Sequence, residues 1–159
     1  MTTHPVYLDH HATTPCAPEV LAAMLPWFTD KFGNAASINH LYGTEARAAV
    51  EAAREQVAAL IHASSRGLIF TSGATEANNL AIKGRVLPLL RTASSPPHII
   101  TNAAEHRSVL DCFDRLKRQG ARVTLLPVDE TGRLSPDEVA AAIGPDTVLV
   151  SVMMASNEI

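Results

Sequence analysis

The chain has 159 residues, with 13 lysines and arginines against 16 aspartates and glutamates, for a formal net charge of −3. Its 47% hydrophobic and 18% charged residues describe a globular domain with an ordinary core and exclude a disordered segment. The acidic balance and the scattered basic residues argue against nucleic-acid or anionic-membrane partners, and no apolar run is long enough to span a bilayer.

The start, Met1-Thr2-Thr3-His4-Pro5, carries no basic segment followed by an apolar run, so no secretory signal is read there. Val6-Tyr7-Leu8 is expected as a short strand or extended arm, followed by a polar turn to Pro15. A first helix is expected from Ala17, with Pro18 in its first turn and an apolar stripe of Val20, Leu21, Met24 and Leu25. Pro26 should kink or end it, and Gly33-Asn34 closes the segment. A second helix is expected over residues 44–62, where Ala46, Ala49, Val50, Ala53, Val57, Leu60 and Ile61 fall on one face.

From Leu68 the pattern alternates between strand and helix. Strands are expected at 68–71, 98–101, 122–127 and 147–153, the last buried on both faces. Helices are expected at 75–91, bent or ended near Pro88, and at 107–119, with Val109, Leu110, Phe113 and Leu116 inward and Gly120 as the stop. A further helix starts at Ser135-Pro136-Asp137-Glu138, read as a capping box, and ends at Gly144-Pro145. This order predicts an α/β domain with a mainly parallel sheet.

Thr71-Ser72-Gly73-Ala74-Thr75-Glu76 reads as a strand leading through a tight turn into a helix. Such a helix start aims free N–H groups and the positive end of a dipole at one point, and Thr75 adds a hydroxyl, so a phosphate is the natural guest. Alone, the same turn fits any α/β connection that needs a flexible glycine. No G-x-G-x-x-G and no Walker-type Gly-Lys-Ser/Thr is present. Glu105-His106 and Ser156-Asn157-Glu158-Ile159 also follow expected strands, at the sheet end where α/β proteins bind ligands. His4, His10 and His11 have no further ligand at metal-site spacing and are read as solvated or structural. Cys16 and Cys112 form no CxxC pair and are read as small buried hydrophobes, in a cytoplasmic protein.

Taken together, residues 7–15, Gly33-Asn34 with Ser37 and His40, residues 71–84, Glu105-His106 and Asn157-Glu158-Ile159 resemble the N-terminal portion of a NifS/IscS-like cysteine desulfurase. That group lies within the class V aminotransferase family of pyridoxal-phosphate enzymes. The resemblance covers the whole chain in the family's order, with Ala35 and Ser156 standing where the family often has proline and asparagine. It implies the fold type I architecture of PLP-dependent transferases, here an incomplete large domain over residues 16–159 behind an arm of residues 1–15. Ala74 and Thr75 are implied to hold the phosphate of pyridoxal 5'-phosphate, His106 to stack on its ring and move protons, and Asn157 to donate to its phenolic oxygen.

The implied activity is release of sulfur from L-cysteine as a persulfide for iron-sulfur or other sulfur-transfer pathways, in a homodimer with a sulfur-acceptor protein as partner. A selenocysteine lyase, an aminotransferase, or a non-catalytic module pairing with a homologue are the alternatives. In the family the lysine, aspartate and loop cysteine of the reaction follow the Asn157-Glu158-Ile159 motif, and Lys31, Lys83, Lys117, Cys16 and Cys112 match none of them. The chain alone is therefore expected to be inactive. The resemblance also places three further strands between the one ending at Thr71 and the other three, so the chain alone is expected to leave apolar strand edges exposed.

Overall fold

The computed structural model describes residues 5–156 in two compact units. The first, Thr13–Phe70, is helical. Helix α1 (Pro18–Met24) has Pro18 in its first turn, where the missing N–H has no helical partner to lose, and Pro26 opens the separate short helix α2 (Pro26–Thr29). Helix α3 (Leu41–Leu60) starts ahead of Thr44 because His40 caps it: the His40 Nδ1 accepts from the Gly43 N–H at 3.2 Å. A side chain on Gly43 would collide with the Ser37 carbonyl, so the loop before α3 folds back tightly only with glycine there.

The apolar stripes expected to form a core here are mostly uncovered. The buried residues of α3 are Gly43, Ala46 and Ala58, whereas Val57, Leu60 and the following Ile61, and Leu21 of α1 and Leu25 just after it, are exposed. At 20 residues α3 is about 30 Å long, more than the 7 residues of α1 and 4 of α2 can shield. The strand expected at residues 68–71 is also absent. A 3₁₀ turn (Ser65–Gly67) leads into extended chain that pairs with no described strand. Arg54 instead donates to the Leu68 carbonyl and lies 4.9 Å from the Phe70 ring centroid. An apolar run makes a strand only where a neighbouring edge takes its hydrogen bonds. Val6-Tyr7-Leu8 likewise pairs with no described strand.

The second unit runs from Thr71 onward and includes the arm before Thr13. Its order is α4 (Ala74–Thr92), β1 (His98–Asn102), α5 (Arg107–Arg118), β2 (Arg122–Leu126), α6 (Pro136–Ala142) and β3 (Thr147–Val150). The three strands form a parallel sheet in the order β2-β1-β3, with β1 buried along its length. The expected α/β pattern is thus realised, with helices crossing between parallel strands.

Ile82 and Val86 of α4, Ile99 of β1, and Val109, Cys112, Phe113 and Leu116 of α5 make the core, closed by Ala121. This packing carries α4 through Pro88 to Thr92, although an interior proline costs a helix about 3 kcal/mol. Gly120, at φ +105°, lets the chain turn out of α5, and the Ala121 N–H returns to the Leu116 carbonyl at 3.0 Å.

Three local expectations are corrected. Ser135 makes no side-chain capping bond, so α6 starts on Pro136 without a capping box. The strand expected at 147–153 ends at Val150 and is not buried on both faces: as the edge of the sheet, β3 has half-buried residues and an exposed Val150. Cys112 is buried as expected, but Cys16 is exposed.

His98, fully buried in β1, ties the three strands together. Its Nδ1 lies 2.8 Å from the Thr147 hydroxyl on β3, and its Nε2 2.8 Å from the Thr124 hydroxyl on β2. Burial holds its pKa below the usual imidazole value, helped by Arg122 and opposed by Asp146. The unfolded chain, titrating near about 6.5, then binds a proton that the folded chain resists. Stability from His98 is fully present above about pH 6.5 and is lost as pH falls through the lower folded value. Urea unfolding should show a midpoint that drops on acidification below about pH 6.5, and His98→Gln should flatten that dependence.

Candidate functional site

The N-terminus of α4 is bare. Gly73 precedes it without any side-chain capping bond, and the N–H groups of Ala74 and Thr75 have no partner among the described residues. The Thr75 hydroxyl likewise has no partner among the described residues, and a side chain on Gly73 would meet open space. A helix that begins this way leaves donors and a partial positive charge facing open space. The one carboxylate of the first turn is tied back: Glu76 accepts from the Ser72 N–H at 2.6 Å and the Ser72 hydroxyl at 2.7 Å. The Ser72 backbone bond, then its hydroxyl, holds the Glu76 pKa below the usual carboxylate value.

His106 sits at the N-cap of α5, exposed, just after β1. Its Nδ1 accepts from the Ser108 N–H at 3.1 Å and lies 2.8 Å from the Ser108 hydroxyl. Ser108 in turn receives the Asn78 amide Nδ2 at 2.9 Å. Asn78 is one turn beyond Ala74, so a continuous chain of hydrogen bonds joins the first turns of α4 and α5. The structure therefore brings Ala74 and Thr75 to the same end of the unit as His106. Sequence reasoning missed Asn78 and Ser108, since single polar residues in a helix carry no periodic signal.

Asn157 lies outside the described residues, as does His4. The segment leading to Asn157 lines a cleft of about 280 Å³ with Asn102, at the carboxyl end of β1, and Arg133. That is the end of a parallel sheet where ligands bind. His10 and His11 are exposed, and His10 meets the Tyr7 ring edge-on at 5.1 Å. Among the described residues no cluster of three or more His, Cys, Asp or Glu could hold a metal, and no helix is long and apolar enough to cross a membrane.

Two of the remaining reactive groups are engaged or shielded. Lys31 pairs with Glu45 at 2.8 Å. Burial pushes the Cys112 thiol above its usual pKa, with Lys83 opposing weakly, so it is a packing group with little thiolate at neutral pH. The start of α4 has the donors and the dipole of an anion-binding helix N-terminus, and the His106 imidazole caps the neighbouring α5.

Comparison with known proteins follows the same line. The family model described as aminotransferase class-V matches residues 6–159. The chain is 53% identical over 154 residues to a protein named cysteine desulfurase IscS from Anaeromyxobacter sp. (strain K), covering 97% of this chain and 37% of that one. Among solved structures, a NifS-like protein superposes with a TM-score of 0.87 at 36% identity, over 96% of this chain and 41% of that one. A structure described as SspA in complex with cysteine superposes at 0.86 with 38% identity, over 96% and 43%. The chain thus spans less than half the length of each of these relatives.

The tie between Glu76 and Ser72 is directly measurable. In Ser72→Ala the carboxyl loses its hydroxyl donor, and a carboxyl-carbon NMR titration should show the Glu76 pKa rising toward its ordinary value.

Proposed function

The chain belongs to the aminotransferase class-V family, and on that footing we propose that it is the N-terminal portion of a pyridoxal-phosphate-dependent cysteine desulfurase. The observation that carries this reading is the bare α4 start, with its unpaired Ala74 and Thr75 donors, linked through Asn78 and Ser108 to His106. These residues suit pyridoxal 5'-phosphate: unpaired donors for a phosphate at one end and a solvent-exposed imidazole at the other. When bound, that cofactor supplies an electron sink for bonds at the substrate's α-carbon.

Ala74 and Thr75 hold the phosphate by an N–H group and a hydroxyl, with the α4 dipole adding roughly 0.3–2 kcal/mol. His106 would cover the ring of the bound cofactor, exclude water from it and supply an imidazole for proton exchange. Asn157 would be the donor to the cofactor's phenolic oxygen. The substrate is L-cysteine: its Cβ–S bond breaks, the sulfur joins a protein thiol as a persulfide, and the carbon skeleton leaves as L-alanine. Residues 16–159 form part of the cofactor-binding large domain, in a cytoplasmic homodimer that passes sulfur to an acceptor protein for iron-sulfur or related assembly. Lys31, Lys83, Lys117, Cys16 and Cys112 do not take the parts of the lysine and the loop cysteine of that reaction.

The product of the gene that encodes this chain, given pyridoxal phosphate and L-cysteine, should form L-alanine and persulfide sulfur in equal amounts. His106→Ala should lower kcat by about 10²–10⁴-fold, the usual worth of a positioned acid-base group. Thr75→Val should weaken cofactor affinity about tenfold, as expected for one lost hydrogen bond to a charged group. Turnover of selenocysteine or of an amino donor in place of L-cysteine would overturn the substrate assignment, and failure to bind the cofactor would overturn the proposal.

A further inference from the structure

His106, whose role rests on the reading above, is held in a directional network whose polarity can be worked out atom by atom. A backbone N–H can only donate, so the Ser108 N–H at 3.1 Å fixes Nδ1 of His106 as an acceptor with its lone pair in the ring plane. The Asn78 Nδ2 can also only donate, so the Ser108 oxygen at 2.9 Å is the acceptor of that bond. The Ser108 hydroxyl hydrogen is then free, and the acceptor beside it is the same Nδ1, at 2.8 Å. Two donors therefore converge on Nδ1, and the single proton of the neutral ring resides on Nε2. His106 is exposed while Ser108 is buried, so the fixed nitrogen faces the protein and the proton-bearing one makes no hydrogen bond among the described residues.

We infer that Asn78 and Ser108 are positioning residues that set the tautomer and ring orientation of His106, presenting Nε2–H as a donor toward the bound ligand. The source of the alignment is α4 itself: Asn78 lies one turn from the phosphate-binding start of that helix. A shift of α4 relative to α5 would break the Asn78–Ser108 bond and leave the Ser108 hydroxyl free to rotate, with the Ser108 N–H as the one donor still fixed on Nδ1. The two ends of the site are thereby coupled through one serine.

The test reads the ring directly, without cofactor or turnover, so its outcome is independent of whether the desulfurase assignment holds. Two-bond ¹H–¹⁵N correlation of His106 in the neutral state should show Nε2–H and an unprotonated Nδ1. Asn78→Asp replaces a donor by an acceptor, turns the Ser108 hydroxyl toward the carboxylate and presents the serine lone pairs to Nδ1. The share of the Nδ1–H tautomer should then rise roughly fivefold or more, the equivalent of one neutral hydrogen bond. Ser108→Ala should shift the ratio in the same direction by a smaller step, because it removes the hydroxyl donor without presenting an acceptor to Nδ1, and Ser108→Thr should restore the original ratio. Unchanged amide signals from His98–Asn102 establish that each variant keeps the β1 packing. An Nδ1–H tautomer in the unmodified chain, or one ratio shared by all four proteins, would overturn the inference.

Discussion

The packing of α4 against α5 over β1 is the constraint on which the rest of the site depends. Val86, Phe113, Leu116 and Ile99 are all but inaccessible to solvent, and together they fix the relative position of the two helices. Both helices flank a parallel strand, and their first turns meet through the Asn78–Ser108 bond. Two helix N-termini are thereby set side by side near the carboxyl end of β1. Large apolar contacts set the position, and one polar contact at the end of the interface sets the finer alignment. Loss of the apolar part would displace the polar part as well, because a hydrogen bond holds only within a few tenths of an ångström.

The electrostatics follow from that placement. Each helix start presents partial positive charge, and the two are treated differently by their neighbours. At α5 the field is met by His106, whose Nδ1 takes the Ser108 N–H and so occupies one donor. At α4 the donors of Ala74 and Thr75 are left open, while the adjacent Glu76 is engaged by Ser72. An anion is thus favoured at one point of the surface and an aromatic face at the other.

Much of this was legible in the sequence wherever a pattern was local. The 3.6-residue spacing of Val109, Phe113 and Leu116 marks α5, and the short apolar runs at His98 and Arg122 mark β1 and β2. The turn at residues 71–76 was readable as a helix start, and α4 begins there at Ala74. What depended on partners was not readable. Residues 68–71 and 147–153 have the composition of strands, yet hydrophobicity states a capacity for burial and not which neighbour will provide it. The first forms no strand, and the second stays at the sheet edge. The same holds for Leu60 and Ile61 on α3, apolar but uncovered. Asn78 and Ser108 escaped notice for another reason: their meaning comes from a contact across 30 positions of chain.

The central claim is that the start of α4 and the His106 ring form the two ends of one ligand site. Amide and ring shifts recorded during titration with pyridoxal phosphate, and separately with inorganic phosphate, test it most directly. Inorganic phosphate should move the Ala74 and Thr75 amides and leave the His106 ring signals in place. Pyridoxal phosphate should move all three with a single dissociation constant. Movement of His106 with a different constant from Ala74 and Thr75, or a phosphate response elsewhere in the chain, would contradict the account.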